Sequence, residues 1–163
     1  MGLFSRRTSS ASDGWPERPR RALVFDLARG ALEDVSFGDD AMSLEFLGRP
    51  RNRGAIPEER FEYGQHGLIV ELTGTEVTYF AFIFDGAEGY ESCDLEFRFS
   101  SGAALDLGSD SAASDVLATL ASDVGSDVDD EETVHRVRCG EFEVELEVTP
   151  GGILKRLNVY PFD

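Results

Sequence analysis

The chain has 163 residues, 41% of them apolar, which is enough for one core and too few for two ordinary domains. It carries 32 acids against 15 bases; five of the arginines fall in residues 1–21 beside two acids, leaving 30 acids and 10 bases in residues 22–163. Such a body repels phosphate backbones, which argues against nucleic acid as a partner and for a basic protein.

Residues 1–21 are rich in Ser, Arg, Pro and Gly and have no apolar period, so they read as a flexible basic tail in which Trp15 is the ring able to reach back onto the body. MGLFSRRTSS has no apolar run behind its arginines, and no segment approaches the roughly 20 apolar residues of a membrane helix. The expectation is a cytoplasmic protein that does not engage a membrane.

From Ala22 onward the landmarks recur in order, which predicts a single compact domain, 22–163, made of two repeats, 22–87 and 93–160. Each opens with a strand, 23–27 closed by Gly30 and 93–99 closed by Gly102; in the second, Cys93, Leu95, Phe97 and Phe99 share one face. A short apolar piece ending in glycine follows, Val35-Ser36-Phe37-Gly38 and Leu105-Asp106-Leu107-Gly108. Then comes a helix. The first spans 40–47, with Asp39 or Asp40 as cap and Gly48 and Pro50 as stop. The second spans 111–123, where Ala113, Val116, Leu117, Leu120 and Val124 recur at helical spacing. Residues 49–60 and 123–132 read as loops. Strands near 60–64 and 133–139 precede two hairpins, 68–72 returning through 77–84 and 142–148 returning through 153–160. The expected fold class is α+β, two tandem helix-on-antiparallel-sheet repeats that could share one continuous sheet.

Phe37-Gly38, followed ten residues on by the glycine of Phe46-Leu47-Gly48-Arg49-Pro50, resembles the glycine, helix, LG-x-P signature of the small outer-membrane lipoprotein domain of the barrel-assembly machinery. The doubled arrangement resembles the β-lactamase inhibitory protein family, a tandem of a related helix-plus-sheet unit. The resemblance implies a helix-backed antiparallel sheet whose open face binds another protein. No catalytic residue travels with it.

Nucleophilic catalysis needs a nucleophile, a base and a group that orients the base. The two imidazoles, His66 at the Gly64–Gly67 bend and His135 in a strand, neighbour no Ser or Cys motif, and Cys139 lies four residues from His135, too far along a strand for an activated pair. Cys93 and Cys139 are too few for a disulfide framework and read as buried thiols. The acidic run from Asp123 to Glu132 invites calcium, but an EF-hand register puts Val128 at position 6 and Val134 at 12, or Glu132 at 6 and Arg138 at 12, and both fail. A solvated acidic loop is expected, and no metal or cofactor. The rival readings are a metal-dependent or small-molecule enzyme using the 123–132 acids, and an acidic housekeeping protein.

Hairpin parity gives the binding face. With Gly74-Thr75 as a two-residue turn, Leu72 opposes Val77 and Val70 opposes Tyr79, which aims Leu68, Val70, Leu72, Val77, Tyr79, Ala81 and Ile83 at the helix. Ile69, Phe80, Phe82 and Phe84 then form an open apolar face with Glu71 on its rim. In the second hairpin Val148 opposes Ile153, so Glu141, Glu143, Glu145 and Glu147 point outward, Glu145 opposes Arg156 and Glu143 opposes Asn158. Lys155 would point inward, which indicates a bulge near Gly151-Gly152. The functional expectation is a non-enzymatic protein-binding module, an inhibitor or immunity-type protein for a basic partner, using Ile69, Glu71, Phe80, Phe82 and Phe84 toward that partner or a second copy.

Overall fold

The computed structural model describes residues 11–52, 60–120 and 133–162. Among these residues eleven strands build two sheets: β1 (Leu23–Asp26), β2 (Ala31–Leu32), β3 (Val35–Ser36), β4 (Arg60–Tyr63), β5 (Leu68–Thr73), β6 (Glu76–Ile83), β7 (Leu95–Arg98), β8 (Ala104–Leu107), β9 (Thr133–Cys139), β10 (Phe142–Val148) and β11 (Leu154–Pro161). One sheet has the order β3-β2-β1-β7-β8 and the other β4-β5-β6-β11-β10-β9. Their facing sides meet in one core, where the Phe25 ring lies 5.6 Å from each of Phe80, Phe82 and Phe97.

This corrects the expected α+β pair of repeats. Among the described residues 44% are strand and 16% helical, and each sheet draws strands from both halves of the sequence. The joins also differ in sense, since β1 runs parallel to β7 while β6 runs antiparallel to β11. No rotation that keeps the buried faces buried carries one half onto the other in both sheets, so 22–87 and 93–160 do not superpose as two helix-backed units. The physical reason is the size of the helices. Ala41–Leu47 forms 3₁₀ turns that bury only Ala41, Leu44 and Leu47, and α1 (Ala113–Leu120) buries only Ala113, Val116 and Leu120. Neither stripe can cover a sheet, so the sheets cover each other. Leu117, expected in the stripe, is half-buried, and Val124 lies outside the described residues.

Each helical segment hangs instead on a hairpin turn. Asp40 bridges Glu76 and Ala41 N–H donates to Thr75 O at 2.7 Å; Ala112 bridges Ile153 and Ala113 N–H donates to Gly152 O at 3.0 Å. Of the two caps the sequence offers, Asp40 is the one used, accepting from Met42 N–H at 2.9 Å, and Gly48 ends the segment at φ +80°.

A second correction concerns the tail. Trp15 is 3% exposed in the main core, edge-on to Phe61 at 5.7 Å, and Arg49 N–H donates to Pro16 O at 3.0 Å. The stretch 11–21 is therefore docked through Ser12 and Trp15, and Trp15 covers Phe61, while residues 16–21 run exposed over the surface. Gly48 permits this docking, because a Cβ there would stand 2.8 Å from Arg18 N and Pro16 O.

Candidate protein-binding surface

The face of the six-stranded sheet turned away from the core is set by two bulges. Leu72 does oppose Val77, but the next pair is Glu71 with Tyr79, so Thr78 is an extra residue; its Oγ1–H donates to Glu71 O at 3.3 Å. Every later side chain of β6 changes face. Phe80, Phe82 and Phe84 are consequently fully buried in the main core and form no open face, which corrects their expected role as partner contacts. Ile69 and Glu71 do share the outer face, now with Tyr79, Ala81 and Ile83. Ile69 is buried there beneath Tyr90, which packs with Ile69, Ala81 and Ile83 in a second small cluster, while Glu71 is half-buried.

The second bulge lies between Glu147 and Val148. Val148 opposes Leu154 and Glu147 opposes Arg156, so the extra residue is Lys155, which escapes the inward position. Glu145 therefore opposes Asn158, and Glu143 opposes Tyr160, one pair along from the expected register.

The outer face that results is ordered in rows. Glu62, Ile69, Ala81, Asn158, Glu145 and Arg136 stand in register across all six strands. Arg136 Nε donates to Glu145 Oε2 at 2.7 Å, and Asn158, 2% exposed, donates from Nδ2 to Glu145 Oε1 at 3.1 Å. In the adjoining row the rings of Tyr79 and Tyr160 stack at 5.7 Å, and Tyr160 O–H donates to Glu143 Oε1 at 2.6 Å. Burial, supported by the surrounding glutamates against Arg156, pushes the Tyr79 phenol up to about 12; burial and the Glu143 carboxylate push Tyr160 up as well. Both phenols stay protonated at neutral pH. At one end, Asp85, Glu88, Glu147, Lys155 and Arg156 line a cleft of about 120 Å³. Glu143, Glu145 and Glu147 form a column on β10 held by neutral donors and arginines, and a carboxylate keeps acceptor capacity beyond one such partner.

The groups considered for catalysis are kept apart. His66 is buried with Nε2 3.3 Å from Leu47 O, and His135 opposes Leu146 at the sheet edge. Cys93 is buried, and burial raises its thiol pKa, which favours the unreactive thiol. No group of three His, Cys, Asp or Glu side chains among the described residues has metal-site geometry; the 123–132 acids lie outside them. No helix among the described residues is long and apolar enough to cross a membrane.

Sequence reasoning put Asn158 on the outward face but opposite Glu143, aimed Tyr79 inward and did not single out Tyr160. From Tyr79 to Phe84 both parities of β6 are apolar, so alternation alone cannot tell which is inward. Comparison with protein-family models, curated proteins and solved structures finds no match to this chain.

Proposed function

We propose that the protein is a non-enzymatic binding module that presents the outer face of its six-stranded sheet to a basic protein partner, as an inhibitor or immunity-type protein would. The observation that carries this reading is the column Glu143, Glu145 and Glu147 beside the stacked Tyr79 and Tyr160. Tyrosines supply contact area at low entropic cost, and the carboxylates accept from Lys or Arg at a rim. The net charge of −17 would speed encounter with such a partner. Cys93 and Cys139, which form no disulfide, suit a reducing, cytoplasmic setting.

The test is charge reversal on the face. Glu143→Lys with Glu147→Lys should cut capture of the native basic partner at least tenfold, with an unchanged amide spectrum, and wild-type capture should weaken as salt rises from 50 to 300 mM. Equal capture by both proteins would remove this face from consideration.

A further inference from the structure

The edges of the two sheets are finished differently. β4 is sealed: Arg51 N–H donates to Glu62 O at 2.8 Å, Asn52 Nδ2 donates to Arg60 O at 2.7 Å, and Glu62 N–H donates to Asn52 Oδ1 at 3.0 Å. β3 has two residues, and Ser36 N–H is taken by Asp39 Oδ2 at 2.8 Å. β8 has four residues. β9 has seven, contains no proline, pairs with β10 without a bulge, and is the last strand of its sheet.

The two-residue turn Gly140-Glu141 makes Cys139 and Phe142 a hydrogen-bonded pair. By alternation Val137 and His135 also bond to β10, and the N–H and C=O groups of Val134, Arg136 and Arg138 point out of the sheet. Among the described residues no strand pairs with that side. Arginines on an edge usually obstruct strand addition. Here both are drawn onto the outer face, Arg136 to Glu145 and Arg138 with its guanidinium 3.7 Å over the Phe162 ring. On the inner side a cavity of about 340 Å³ opens beside His135, walled by Ala113, Leu117, Val148 and Ile153.

We propose that β9 accepts an extended segment of a partner protein as a seventh strand. Main-chain bonds to Val134, Arg136 and Arg138 would supply affinity and the cavity would supply specificity. Residues directly opposite share a face, so the segment carries acids opposite Arg136 and Arg138, where Arg136 is 58% exposed, and an apolar side chain opposite His135 that enters the cavity. This contact is made through the main chain of the edge and not through the glutamate column, and it stands if the basic-partner reading fails.

The probe is the acetylated, amidated heptapeptide T-V-E-L-E-V-T, with T-V-E-E-L-V-T, which breaks the alternation, as control. Amide exchange at Val134, Arg136 and Arg138, followed by NMR on the full chain, should slow at least tenfold with the first peptide and not with the second. Arg136→Pro removes an outward N–H without touching the β10 ladder and should abolish the effect, while Arg136→Ala retains it within threefold. If Arg136→Pro loses the native spectrum, Val134→Pro removes a second outward N–H and serves in its place. Binding that survives the proline, or equal response to both peptides, overturns the proposal. So do amides that already exchange slowly in the free protein, which would mean that residues 121–132, or a second copy if protection falls on dilution, occupy the edge.

Discussion

At the scale of single residues, His66 combines full burial with a hydrogen bond to Leu47 O. Burial lowers its pKa below the ordinary 6.5, and Arg20 and Arg21 push in the same direction against the backbone bonds. The native state therefore holds neutral imidazole, whereas the unfolded chain takes a proton near pH 6.5. The resulting stability is complete above about pH 6.5 and is lost as pH falls from there toward the lowered native value, by up to about 1.4 kcal/mol per pH unit. Chemical denaturation between pH 7 and 5 should show this slope, and His66→Leu should flatten it. A wild-type stability that stays level over that interval would mean that the ring is hydrated. Residue identity was partly legible: Asp40 as cap and Gly48 as stop follow from short-range chemistry. The burial of Trp15 does not, because it depends on Phe61, far away in sequence.

At the scale of elements, the bulge at Thr78 has a cause in the neighbours of β6. Near its start, Val77 N–H donates to Asp39 O at 2.9 Å and Gly38 N–H donates to Val77 O at 2.8 Å, while Phe80 to Ile83 pair with β11. The strand leaves one partner and meets another within three residues, and the extra residue supplies the bend. The Gly74-Thr75 turn is readable, and so is the Leu72–Val77 pair; the parity beyond depends on a tertiary contact that no local pattern records. Deleting Thr78 should turn Phe80, Phe82 and Phe84 out and Tyr79 in, so the variant should show no cooperative urea transition. Thr78→Ala keeps the residue count and should cost only about 1 kcal/mol, the scale of one hydrogen bond. A deletion variant that unfolds cooperatively with the wild-type midpoint would refute this account of the face.

At the scale of the whole molecule, strand positions were legible because apolar alternation is local, and the assignment of strands to sheets was not, because it is decided by β1 meeting β7 and β6 meeting β11. Matching landmarks in the two halves suggested two units, whereas the halves share both sheets and one core. Fragments 11–87 and 88–162 should each lack a dispersed amide spectrum when expressed alone and should regain it when mixed. A folded 11–87 fragment would restore the idea of independent units.

Of the strands described, β11 is the last to leave the ribosome, yet it lies in the middle of its sheet, between β6 and β10. Until it arrives, β6 and β10 each present an unpaired side, and Phe80 and Phe82 have no completed sheet to lie against. The placement of β11 is thus an insertion rather than an addition at a margin, and it depends on the pairing with β6, distant in sequence, which closes slowly. The nascent chain is exposed to misassembly for as long as that gap stays open, so the yield of native protein is set by the delay before β11 is placed.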